Sequence, residues 1–303
     1  MKSSNIGGQA VMEGVMMRNA DKYAVAVRKT DGEIVVKTEE YKGIVQNKKI
    51  RSLPIIRGVF SFIDSMVLGM STLTYSASFF MDEEEEEKDE KKESVMMGLT
   101  IACSVVMAVA IFMILPYFLS QLFRKFTDST TLITLLEGAV RLVIFFGYIL
   151  LISRMKDIQR VFMYHGAEHK CINCVEHGLE LNVENVMKSS REHKRCGTSF
   201  LLFVMIVSII FFLFIRIESP IWRVVFRLLL IPVIAGVSFE FIRLAGKSEN
   251  KLVIFLSKPG MMLQKLTTRE PDASMAEVAI ASVEAGFDWR AYLKENFGWQ
   301  EKV

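Results

Sequence analysis

Residues 94–123 make up thirty consecutive positions without a charged side chain. A helix needs about 20 predominantly apolar residues to cross the hydrocarbon core of a bilayer. The run is long enough to span one, and soluble cores almost never contain such a stretch. A second charge-free run covers residues 197–215. A soluble chain of 303 residues would make one large domain or two smaller ones, but the mean hydropathy of +0.31 argues against that class. The fold class expected is mainly α. It is a polytopic helical membrane protein with about four transmembrane helices, an interfacial or re-entrant helix and a small N-terminal cytoplasmic β region.

Five segments follow from the pattern. Residues 1–57 read as the β-rich cytoplasmic region. There YAVAVR (23–28) and EIVV (33–36) flank Asp31 and Gly32, a two-residue hairpin signal. Residues 53–80 predict a helix, and 58–81 form its amphipathic, membrane-associated part. Ser61, Ser65 and Gly69 recur every four residues, a stripe that lets helices approach closely in a membrane. The alternative is an ordinary helix packed on a soluble core. Residues 82–93, with nine acids and three bases, bury no apolar surface and read as a solvated linker. Residues 94–250 hold four spans, at about 95–122, 131–153, 198–216 and 221–244, and a His/Cys loop at 154–198. Residues 251–303 form a C-terminal cytoplasmic helical segment. Within it, Pro271 and Asp272 open a helix that stops at Gly286.

Charges decide orientation. The 154–198 connection carries eight Lys and Arg, whereas Arg124 and Lys125 alone follow the first span. The positive-inside rule therefore places this loop and both termini in the cytoplasm of a cell-membrane protein. The N-terminus lacks the basic and apolar regions of a signal peptide. No basic-plus-aromatic pattern favours nucleic acid as a partner; the lipid bilayer and other membrane proteins are the partners expected. Inside the spans lie Glu137, Arg141, Arg223, Arg227, Glu240 and Arg243. Such charges are costly and tend to face a bundle interior or a wet cavity. Glu137 and Arg141, one helical turn apart, suit an intrahelical ion pair, while Arg223 and Arg243 suit snorkelling at the interface.

One segment is chemically loaded. YHGAEHKCINCVEHG (164–178) and HKRCGTSF (193–200) hold all four histidines of the chain and three of its four cysteines. Imidazole and thiolate are the ligands a zinc-like ion prefers. Reduced thiols in a cytoplasmic segment favour ligation over a disulfide. His165 and His169 stand at i and i+4 with Glu168 between them, the His-x-x-Glu-His spacing. In that pattern the two histidines bind zinc and the glutamate is the general base. A third ligand is not evident, with Glu240 and Glu249 as loose candidates. A second pattern competes: Cys171 and Cys174 with His193 and Cys196 match a closed four-ligand structural site. A third set mixes the two: His165, His169, His193 and Cys196. The bland alternative is a polar membrane-surface loop with no metal.

The motifs GGQAVMEGVMMR (7–18), PIIRG (54–58), YHGAEHK (164–170) and HKRCGTSF (193–200) resemble the YqhQ-like family of bacterial membrane proteins. The resemblance runs to about residue 290. That family is described as predicted metal-dependent enzymes. Its pattern matches His165, Glu168, His169, His193 and Cys196 in this chain and leaves out Cys171, Cys174 and His177. It thus implies the mixed ligand set, with Cys171 and Cys174 as second choices. It also marks Gln9, Glu13, Arg18 and Arg57. These, with Glu137 and Arg141, are candidates for substrate contact or for pinning the β region to the helices, the structural role coming first for the four that the resemblance marks.

Two functions remain open on the sequence. One is a membrane-embedded, zinc-dependent hydrolase at the cytoplasmic surface, with Glu168 as the catalytic residue and zinc or another divalent transition metal as cofactor. The other is a non-catalytic, metal-stabilised scaffold or assembly factor. A transporter, suggested only by the intramembrane charges, is weaker because no inverted repeat is visible.

Overall fold

The computed structural model describes residues 2–80, 90–215, 217, 219–248 and 250–300. The chain divides into two compact units: Met1–Phe80, Ile152–Leu202 and Ala235–Val303 form the first, Met81–Leu151 and Phe203–Ile234 the second.

The N-terminal region is an antiparallel sheet of four strands in the order β1-β2-β3-β4. They are β1 (Ile6–Val11), β2 (Gly14–Asn19), β3 (Lys22–Arg28) and β4 (Ile34–Glu40). The glycine-rich stretch, readable from sequence as strand or core, supplies β1 and β2, which pair from Val11↔Gly14 to Ile6↔Asn19. The β3–β4 hairpin forms around Asp31 and Gly32, but Arg28↔Ile34 is its last pair. Its connection is therefore wider than the two-residue turn the dipeptide suggests.

A short α1 (Lys48–Ser52) leads into α2 (Ile56–Ala77). The expected small-residue stripe is only partly buried: Gly69 is buried and Ser65 is exposed. The buried face instead runs through Gly58, Asp64, Leu68, Gly69, Thr72 and Ser76. Leu68 packs with Val11, Met16, Tyr23, Val25 and Val27 on one face of the sheet. At the start of α2, a Cβ on Gly58 would meet Gly236 Cα at 2.9 Å, so the two backbones touch there. The acidic segment expected at 82–93 lies outside the described residues up to position 89, and α3 (Glu90–Val109) takes up its last four residues, so the helix starts earlier than the linker reading placed it.

In the second unit, α3 passes through a π-helical turn at Ala110–Ile114 into α4 (Leu115–Gln121). Pro116 sits in the first turn of α4. It has no N–H for the preceding turn, and a π turn is one way a helix absorbs that loss. Within α5 (Thr130–Ile152), Arg141 donates to Glu137 at 2.8 Å and to Ser208 at 2.8 Å. Arg227 grips the same carboxylate with both terminal nitrogens, at 2.6 and 2.9 Å. All three charged groups are about 3% exposed. Both guanidinium groups lie over the Phe212 ring, at 4.9 and 4.6 Å.

The expected His/Cys loop is largely helical. It contains α6 (Lys156–Glu176) and α7 (Val183–Lys188), and ends at the start of α8 (Gly197–Phe214). The chain continues through α9 (Pro220–Lys247), α10 (Lys251–Thr267), α11 (Ala273–Gly286) and α12 (Trp289–Phe297). Asp272 caps α11 by accepting from Met275 N at 3.0 Å, a contact worth about 1 kcal/mol. The second face of the sheet, α6, α7, α11 and α12 share one core that includes Met17, Ile172, Val186, Met275 and Leu293. Each such side chain contributes roughly 1.5–3 kcal/mol by leaving water.

Among the described residues, five helices are long and apolar enough to cross a membrane: Ile56–Phe80, Val95–Lys125, Thr130–Ile152, Gly197–Phe214 and Ile221–Gly246. Four match the spans read from sequence. The fifth contains α2, whose membrane status the sequence left open.

Candidate metal centre

α6 builds the site because its buried face carries chemistry instead of hydrocarbon. From Gly166 to Glu176 every residue is buried. His165 and His169, one turn apart, meet edge to face with ring centroids 4.4 Å apart and planes inclined by 64°. Cys196, at the entry to α8, brings Sγ to 3.3 Å from His165 Nε2. One ligand atom from each of His165, His169 and Cys196 falls within 4.8 Å of the others. Both rings are oriented through their other nitrogen. His165 Nδ1 meets Thr267 O at 2.9 Å and His169 Nδ1 meets Arg191 O at 2.6 Å. A backbone carbonyl on Nδ1 fixes the tautomer that leaves Nε2 free to ligate.

Electrostatics match that geometry. Burial pushes the Cys196 thiol up, but His165 and His169 overcome it and hold the thiol well below its ordinary value. Thr198 N also donates to Cys196 Sγ at 3.4 Å at the helix start. Burial works against a charged His165, yet the neighbouring Cys196 thiolate carries its pKa up to about 9. Glu168 is 4% exposed. Burial pushes its carboxyl up, against the pull of His169 and His165 and a hydrogen bond from the Gly8 backbone. Among the described residues, its Oε2 has no hydrogen-bond partner. A buried carboxylate oxygen without a partner is costly.

His165, His169, Glu168, His193 and Cys196 all line one cavity of about 790 Å³. Its walls come from β1, α2, α6 and the first turn of α8, with Phe239 and Ile242 of α9.

The remaining candidates separate clearly. His193 stands beside the group, its ring 5.8 Å from that of His169, but its Nε2 engages Glu176 Oε2 at 3.2 Å. Cys171 and Cys174 belong to the apolar core, and Cys174 Sγ points to the Glu180 carbonyl at 3.3 Å. Glu240, a loose ligand candidate, takes Arg57 Nε at 2.6 Å and Nη2 at 2.5 Å. Glu249 lies outside the described residues. Glu13 binds Arg160 through both oxygens and accepts from Tyr164 Oη at 3.3 Å. Gln9 donates to Gly69 O at 3.3 Å. Arg18 lies over the Tyr41 ring at 5.2 Å and reaches the cavity.

Sequence reasoning missed the groups that hold these side chains. Glu176 is fully buried. It accepts from Ser4 N at 2.7 Å, Ser4 Oγ at 2.8 Å and Arg195 Nη2 at 2.5 Å. Gln264 clasps the His193 backbone, accepting from its N–H and donating to its carbonyl, each at 2.8 Å. The only sequence signal for Gln264 and Thr267 is a polar residue on the buried face of α10.

Comparison with known proteins bears on this site through residues 53–289, which match a family described as "Protein of unknown function (DUF1385)". The chain is also 38% identical, over 287 residues, to "Uncharacterized protein YqhQ" of Bacillus subtilis (strain 168). That alignment covers 91% of this chain and 90% of the relative. No solved structure matches. On these matches, the chain that carries the His165, His169 and Cys196 cluster belongs to the DUF1385 family.

Proposed function

We propose that this protein is a membrane-anchored, metal-dependent hydrolase whose site opens on the cytoplasmic side. The observation that carries the proposal is the unpartnered Glu168 Oε2, buried beside three oriented metal-type ligands at the wall of one cavity. The donor set fits a divalent ion: two imidazoles anchored through Nδ1, of which His165 would release the Nε2 proton it shares with Cys196 as the ion binds, and a thiol whose surroundings favour the thiolate. His165, His169 and Cys196 would hold zinc or another divalent transition metal. Three protein ligands leave a position for substrate or water, as catalytic sites require. A bound ion supplies Lewis acidity and makes water a nucleophile near neutral pH. Glu168 Oε2 accepts the proton that water gives up and passes it to the leaving group. Thr267 and Arg191 hold the two rings, and Cys196, the residue just before α8, presents its Sγ, held by Thr198 N. The scaffold alternative needs a fourth protein ligand, whereas the Nε2 of His193 is engaged by Glu176.

Crossing parity supports the topology. The sheet, α6 and α11 share one core and so lie on one side of a bilayer. Val95–Lys125 and Thr130–Ile152 cross before α6, and Gly197–Phe214 and Ile221–Gly246 cross after it. Each pair returns the chain to its starting side, which leaves α2 in the interface. Leu68 of α2 faces the sheet, while Ile63, Met66, Val67 and Met70 are exposed and suit a helix lying in the plane of the headgroups. The excess of Lys and Arg makes that side the cytoplasm.

The test combines metal analysis with hydrolysis. Glu168→Gln should keep the ion and lose turnover, and His169→Ala should lose both. Full in-cell function of metal-loaded Glu168→Gln contradicts the hydrolase. Labelling of Lys188→Cys from outside intact cells contradicts the orientation.

A further inference from the structure

The edge strand of the sheet indicates what the cavity takes. In a two-residue hairpin closed by Val11↔Gly14, the odd-numbered residues of β1 exchange backbone hydrogen bonds with β2. Ile6, Gly8 and Ala10 then aim their N–H and C=O groups away from the sheet. Two of these outward groups are taken. Ile6 N donates to Ser4 Oγ at 3.2 Å and Ile6 O accepts from Arg195 Nη2 at 3.2 Å, while the Gly8 backbone lies against the Glu168 side chain. Among the described residues, the Gly8 carbonyl and the Ala10 N–H have no partner.

These two groups form the pair that a strand offers to one residue of a parallel neighbour, the carbonyl of i−1 and the N–H of i+1. They sit inside the cavity, because residues 5–10 line it without a break, together with His165, Glu168 and Cys196. Gly8 lets the strand come this close: a Cβ there would stand 2.8 Å from Glu168 Cγ. Backbone donors and acceptors in a groove call for a ligand with amides of its own. The apolar wall of Phe62, Leu68 and Phe239 suits apolar side chains on that ligand.

We propose that the substrate is an extended polypeptide segment with apolar side chains, which adds to the β1 edge through the Gly8 carbonyl and the Ala10 N–H. This rests on the hydrolase reading above. The reaction is amide hydrolysis: the C–N bond breaks, the carbonyl carbon takes a hydroxyl from water, and the amine nitrogen takes the proton.

The experiment uses the full chain in lipid nanodiscs, loaded with zinc, and a library of random decapeptides read by mass spectrometry for new termini. Cleavage next to apolar residues is expected. Methylating the backbone nitrogen that meets the Gly8 carbonyl, in the best-cleaved peptide, should lower kcat/KM by about tenfold or more without touching the protein. Ala10→Pro should do the same with zinc content unchanged. Peptides cut equally well after both changes overturn the edge pairing. Hydrolysis of phosphatidylglycerol vesicles with no peptide cut overturns the substrate class and leaves the hydrolase standing. A zinc-loaded chain that turns over neither overturns both, and a chain that takes up no zinc removes the metal site itself.

Discussion

Two buried glutamates, Glu137 and Glu168, are exposed to nearly the same extent, at 3% and 4%, yet their surroundings differ in kind. Both oxygens of Glu137 are occupied by Arg141 and Arg227. The Nε atoms of the two arginines lack hydrogen-bond partners among the described residues, but both guanidinium groups lie over Phe212, whose ring face attracts cations. That cluster is closed on itself. Glu168 has oriented imidazoles and a thiol beside it, an oxygen with no partner, and a cavity in front. The first arrangement holds helices together; the second leaves one buried carboxylate oxygen without a partner among the described residues.

The same substitution therefore has opposite consequences at the two places. Glu137→Gln leaves two buried guanidinium groups without a counter-charge and should cost about 3–5 kcal/mol. Thermal unfolding in detergent should show a large fall, and an unchanged midpoint would break the comparison. Glu168→Gln removes a carboxylate that burial already penalises. Its unfolding midpoint should hold or rise, while hydrolysis falls by about 10²–10⁴-fold. A folded, metal-loaded Glu168→Gln with ordinary turnover would show that this oxygen has no catalytic part.

A smaller effect tests the supports. Gln264→Ala withdraws both hydrogen bonds from the His193 backbone and should cost about 1–3 kcal/mol for the buried groups left unpaired. Zinc affinity should weaken only modestly; an affinity loss as large as that of His169→Ala would make Gln264 part of the site proper.

The smallest effect concerns acid. Burial works against a charged Glu176, but His193 and Arg195 keep its carboxyl below the ordinary value of 4.5. Burial holds His193 below its ordinary 6.5 despite the Glu176 bond. In both cases the unfolded chain binds protons first as pH falls, so folding stability rises with pH through each window. Stability should decline as pH drops below 6.5 and again below 4.5. His193→Asn should remove the upper limb, and a flat profile in the parent protein would contradict the assignment.

Much of this was legible in the residues. Charge-free runs marked the apolar helices, and the i, i+4 rule paired His165 with His169 and Glu137 with Arg141. Pro271, Asp272 and Gly286 bounded α11 nearly as observed. What escaped was long-range. Arg227 joins Glu137 across 90 positions and Gln264 reaches His193 across 71, and no local period encodes such contacts. Cys196 stood in both the closed four-ligand pattern and the mixed set on spacing, and family resemblance favoured the mixed set over Cys171 and Cys174. Packing separates them: the two cysteines of α6 turn into the apolar core, while Cys196 Sγ lies 3.3 Å from His165 Nε2.

Zinc stoichiometry of the purified full chain, measured by elemental analysis after loading and dialysis, tests the central claim most directly. The account predicts one ion per chain in the parent protein and in Glu168→Gln, and none in His169→Ala or Cys196→Ser. A well-folded parent protein that holds no ion, or a His169→Ala protein that holds one as firmly, would contradict it.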